Sequence, residues 1–125
     1  MSDANYGSFS IDELIKQFER SCLMQYETDI TGDIDIFNHE YQTLVDITNE
    51  LQVRGPLARR ELVRLLSDAN NQVRLQAAKF VYPVARPEAT NCLQDLAGEP
   101  FSDPQVFDAR MTLRRLEEVP DCLDH

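Results

Sequence analysis

Few side chains in this 125-residue chain are able to do chemistry, and their spacing limits what that chemistry could be. His39 follows Asp35 by one helical turn, the separation at which an imidazole and a carboxylate can share a metal ion. The same pair is common on solvated helix faces, so no metal is assigned to it. Carboxylates pair at Asp12/Glu13, Asp33/Asp35 and Glu117/Glu118. General acid–base catalysis needs two acids set across a shaped cleft with separated pKa values, which proximity in sequence does not supply. Helix capping accounts for the first pair, and solvation at ends and turns for the others. Cys22, Cys92 and Cys122 are odd in number and far apart, which excludes a disulfide framework or a zinc knuckle. Cys22 and Cys92 fall on apolar helix faces, where a thiol behaves as a small buried hydrophobe. A glycine-rich phosphate loop, a Gly-x-Ser-x-Gly elbow and a Cys–His pairing are all missing. The expectation is a protein that is not an enzyme and takes no cofactor.

Charge carries more information. The formal net charge is −10. Residues 1–50 hold 11 acids against 2 bases, residues 51–86 hold 2 against 7, and residues 87–125 hold 9 against 3. Arg54, Arg59, Arg60, Arg64 and Arg74 could suggest nucleic acid. Acidic segments flank them and no aromatic residues interleave for base stacking, so they are read as intramolecular partners of acidic helices. Arg74 and Asp68 are expected to tie a helix start to the preceding turn. Asp35, His39, Gln42, Asp46 and Asn49 are spaced to line one helix face, and Asp33 and Glu50 extend it. These seven residues are the candidate partner-binding site. An acidic field of this kind repels nucleic acid and steers basic partners.

The elements that position these groups are helical. Ser10 and Glu13 form a capping box, with Phe9 and Leu14 as its hydrophobic staple. Ile11, Leu14, Ile15, Phe18 and Cys22 then keep the helical period up to a turn at Thr31–Asp33. A second helix spans about 34–54, with a core stripe of Phe37, Tyr41, Leu44, Ile47 and Leu51, and stops at Gly55-Pro56. The third starts at Pro56 and buries Leu57, Leu62, Leu65 and Leu66. After a polar break at 67–71, the fourth carries Val73, Ala77, Phe80 and Val81 and ends ahead of Pro83. Pro56, Ala58, Leu62 and Leu65 recur 31 residues later as Pro87, Ala89, Leu93 and Leu96, which predicts a repeated helical hairpin. Asp103 is placed to cap a sixth helix with Pro104 at its first position, burying Val106, Ala109, Leu113 and Leu116. One domain over residues 1–125 is expected, ordered over about 9–118 with a frayed tail at 119–125. No apolar run reaches the about 18 residues that span a bilayer, and residues 1–8 lack the marks of a signal peptide, so a cytoplasmic location and no membrane partner are expected.

The run Leu51-x-x-Arg54-Gly55, Arg59 or Arg60, Leu62-x-x-Leu65-Leu66-x-Asp68, then Val73-Arg74-Leu75-x-Ala77-Ala78, is similar to a small bacterial HEAT-like family of unknown function. Ala109-Arg110-x-x-Leu113 looks like that family's closing helix. The resemblance covers roughly residues 34–117. It implies an all-α, short right-handed superhelix of about six helices in three antiparallel pairs. Members resembling this chain recur beside polymorphic and contact-dependent toxin genes, where some are immunity proteins. The resemblance and the acidic face together imply an immunity protein, a monomer or weak dimer, that occludes a cognate toxin domain, expected to be a basic nuclease. The other expectation is an intracellular scaffold or regulatory subunit that binds an endogenous protein.

Overall fold

A computed structural model describes residues 5–100 and 103–124. Among them are six α-helices, joined by turns and short 3-10 segments, and no β-strand. Helices pack in pairs, an all-α helical-repeat fold. The chain divides into two compact units, Met1–Glu61 and Leu62–His125.

The first unit is an antiparallel hairpin of α1 (Ile11–Thr31) and α2 (Ile34–Arg54), preceded by a 3-10 turn at Tyr6–Ser8 and followed by the short α3 (Pro56–Arg60). The expected capping box starts α1: the Glu13 amide donates to Ser10 Oγ at 3.1 Å, and the Ser10 amide to Glu13 Oε1 at 2.8 Å. Gly32 ends α1 in the left-handed region, at φ 81°, where a side chain would be strained. Asp33 then caps α2 by accepting from the Ile36 amide. Gly55, at φ 117°, breaks the chain ahead of Pro56. Leu14, Ile15, Phe18 and Cys22 on α1 and Leu44, Ile47 and Leu51 on α2 form the core. Polar groups within it are satisfied locally: Thr48 donates to Leu44 O and Gln25 to Phe37 O.

Two core expectations are corrected here. Tyr41 is 46 % exposed, because the buried arc of α2 centres on Leu44, Thr48 and Leu51 and leaves the Tyr41 ring at its rim. Leu57 is 80 % exposed, since Ala58 and Arg59 take the inward positions of α3 and leave Leu57 on the other side. Arg59 is the buried charge that the leucine pattern hid, and its Nη1 donates to Gln52 Oε1 at 3.0 Å.

The expected third helix is α only to Arg60 and continues as a 3-10 segment, Glu61–Ser67, into the second unit. Three residues per turn place Leu62 and Leu65 one above the other, both inside, while Leu66 is only half-buried. Asn70 caps α4 (Asn71–Val81) by accepting from the Gln72 and Val73 amides. Pro83 ends it in a 3-10 turn ahead of α5 (Arg86–Ala97). Ala89, Leu93 and Leu96 are buried as are Ala58, Leu62 and Leu65, so the 31-residue repeat holds at its core positions. The final helix, α6 (Pro104–Glu118), packs on α5 and α4. Val106 and Ala109 are buried as expected, whereas Leu113 and Leu116 are half-buried.

Asp103 occupies the N-cap position of α6, but its side chain accepts no capping hydrogen bond from a backbone amide. Its carboxylate instead accepts from Asn71 Nδ2 at 3.2 Å. Arg74 likewise departs from expectation. It pairs with Glu99 at 3.2 Å and donates to Asn71, while Asp68 accepts from the Asn70 amide. The turn between α5 and α6 is therefore tied to the start of α4. Arg110 donates to the carbonyls of Ala97 and Glu99, closing the otherwise open C-terminus of α5. Beyond α6 the chain turns at 119–124, and Asp124 pairs at 2.7 Å with Arg86, whose guanidinium lies 4.9 Å from the Tyr82 ring centre.

Candidate functional site

The candidate residues all stand on α2 or its N-cap, and the structure gives them three settings. Asp33 and Asp35 lie at the α1–α2 turn, where with Thr31, Gly32 and Ile34 they line a shallow depression. His39 and Gln42 are exposed at mid-helix, and Gln42 Nε2 donates to Asp46 Oδ1 at 2.9 Å. Asp46, Asn49 and Glu50 line a second depression together with Asn5, Tyr6, Gly7 and Val53.

Glu50 is not a free acid on this face. Arg54 Nε donates to its Oε2 at 2.9 Å. The same guanidinium reaches Tyr6 O at 3.0 Å, Gly7 O at 3.4 Å and Phe9 O at 2.7 Å, which clamps the N-terminal segment beside α2. The Tyr6 and Phe9 rings meet edge to face, 5.3 Å apart. Tyr6–Phe9 thus becomes one wall of the surface, a contribution that the helix-face pattern did not reveal.

The capping carboxylate and the cysteines lie elsewhere in the chain. Glu13 is held below the usual carboxylate range, first by its backbone hydrogen bond from Ser10 and then by the Ser10 hydroxyl. Cys22 and Cys92 are buried, and Cys122 is half-buried. Burial pushes the Cys92 thiol up, against the opposing effect of Arg74. Of the arginine cluster, Arg54, Arg59 and Arg74 are all engaged within the chain. No group of three or more His, Cys, Asp and Glu side chains among the described residues is arranged to hold a metal ion. No helix among them is long and apolar enough to cross a membrane.

Sequence reasoning missed exposed apolar residues on the same hairpin. Val53 is 82 % exposed at the C-terminal end of α2, and Ile30 and Ile34 are 73 % and 69 % exposed at the turn. One readable signal accompanies them. Residues 21–53 contain seven acids and neither lysine nor arginine. The surface is acidic and partly apolar, with little of the enclosed volume that small-molecule chemistry requires.

A family model described as a domain of unknown function, DUF2019, matches residues 12–117. Searched against curated protein sequences, the chain finds no match. The chain is similar to the protein RPA1889 from Rhodopseudomonas palustris CGA009, known from a crystal structure. The two share 28 % identity at a TM-score of 0.85, over 94 % of this chain and 96 % of that one.

Proposed function

We propose a function from one premise: the chain belongs to the DUF2019 family, whose description assigns no activity. It acts by stoichiometric binding to a basic protein through the acidic face of the α1–α2 hairpin. The observation that carries this reading is the run of 33 residues, 21–53, with seven acids and no lysine or arginine, folded so that α2 turns Asp35, His39, Gln42 and Asn49 to solvent. Such a face raises the encounter rate with cationic surfaces and disfavours nucleic acid. The finer reading is an immunity protein. Acidic side chains stand in for the phosphates of a nuclease toxin's substrate and cover its active site.

The test is calorimetric titration against the polypeptide encoded immediately upstream of this gene. Nanomolar one-to-one binding that weakens with salt is expected. Asp35→Lys combined with Asp46→Lys should weaken it and flatten its salt dependence. Glu50 is left intact in this test, because reversing it would also release Arg54. No heat with that polypeptide, and no protection of cells expressing it, would overturn the immunity reading and favour a scaffold for an endogenous protein.

A further inference from the structure

The α1–α2 turn holds an arrangement that its own stability does not explain. The last turn of α1 contains no basic residue, yet Asp29 lies within it and Glu27 just before it. A helix C-terminus is the negative end of the macrodipole, where acids are unfavourable and cations favourable. Among the described residues neither Glu27 nor Asp29 has an ion pair or a side-chain hydrogen bond to offset this. Beside them Ile30 and Ile34 project into solvent, and Leu23 and Met24 are also exposed. Stability alone would favour neither feature. Local rules broken together at one place mark functional surfaces.

The geometry between these residues narrows the ligand. A cleft of about 250 Å³ opens at the turn, lined by Thr28, Asp29, Gly32, Asp33, Ile34 and Phe37. Its lining joins apolar surface from Phe37 and Ile34 to two carboxylates. Asp33 spends one oxygen on the Ile36 amide, which leaves the other available. An apolar stem with a cationic tip matches this lining: the stem runs along Ile34 and Phe37, and the charge meets Asp29, Asp33 and the open carbonyls of α1. Gly32 borders the cleft, and a Cβ built on it would meet nothing within 4 Å, so the approach is open.

We infer that the α1–α2 turn is the anchor of the protein interface and seats an arginine or lysine side chain of a basic partner between Asp29 and Asp33, with Ile30 and Ile34 packed around it. This rests on the basic-partner reading above. A second copy of the chain is a poor occupant through this face, because two such turns would place like charges opposite each other. Phosphate-bearing ligands are disfavoured for the same reason.

The inference makes a paired demand that a structural role for Asp29 would not meet. Asp29→Asn should raise the urea midpoint of the free chain while weakening partner binding about tenfold. The full chain is expressed in its own cells with a photo-crosslinking phenylalanine analogue at Ile34 or, separately, at Asn49. The expected result is one protein trapped from Ile34 through a segment containing lysine or arginine. That protein, once purified, should bind Asp29→Asn about tenfold more weakly than the parent chain. Trapping from Asn49 but not Ile34 would overturn the anchor while leaving a protein-binding face intact. No trapped protein from either position would overturn both readings. Trapping of a second copy, binding unchanged by Asp29→Asn, or a lowered urea midpoint for that variant would each overturn the anchor.

Discussion

Ser10, Leu62 and Cys92 show how much single residues decide in this chain. Ser10→Ala removes the acceptor for the Glu13 amide and should lower stability by about 1 kcal/mol, read from urea denaturation. Glu13 adds a pH signature. Its folded pKa is depressed, so its contribution is present above the unfolded value near 4.5 and is lost as pH falls through the folded value. Glu13→Gln should therefore lower stability at neutral pH, converge with the parent chain at low pH, and so flatten the acid limb of the stability profile. Leu62→Ala should cost about 2–5 kcal/mol, whereas Leu57→Ala should stay within about 0.5 kcal/mol, because one leucine is fully buried and the other projects into solvent. Alkylation followed by mass spectrometry should find Cys122 first in the native chain and Cys92 only after unfolding, since burial raises that thiol and shields it.

Elements were more legible than the faces they present. The starts of α1, α2, α5 and α6 follow from Ser10, Asp33, Pro87 and Pro104, because caps and prolines act locally and are visible in the residues themselves. What could not be read was phase in the short α3, where Arg59 rather than Leu57 turns inward, and the partner choices of Arg74 and Asp103. Those choices depend on which helix ends meet in space, and no local periodicity encodes that. The acidic face of α2 was legible as a stripe, while its second wall at Tyr6–Phe9 was not, since Arg54 builds it across more than forty residues of sequence. Arg54→Ala should release that wall: amide hydrogen exchange at Ser8 and Phe9 is expected to rise, with α1 and α2 protection kept.

At the scale of the whole molecule, charge asymmetry is the property that sequence alone made plain and that folding retains. A net charge of −10 with the basic residues gathered in the middle third leaves the first hairpin strongly negative. Raising ionic strength from about 0.05 to 0.5 M should slow association with a basic partner far more than it speeds dissociation, a split that stopped-flow kinetics resolves. The helical repeat was equally legible, because Pro, Ala, Leu and Leu recur at a fixed distance and the Ala and Leu positions recur as buried residues. Recognition was less so. Packing motifs define an interior, and an interior places few demands on what the exterior touches.

The Arg54 clamp also bears on reagents. By gripping Tyr6, Gly7 and Phe9 it holds that turn beside Asp46 and Glu50. Histidines introduced into that turn would sit against the surface under assay and, when protonated, imitate the cationic ligand being sought. Immobilisation and labelling are better routed through the half-buried Cys122, a position outside that hairpin.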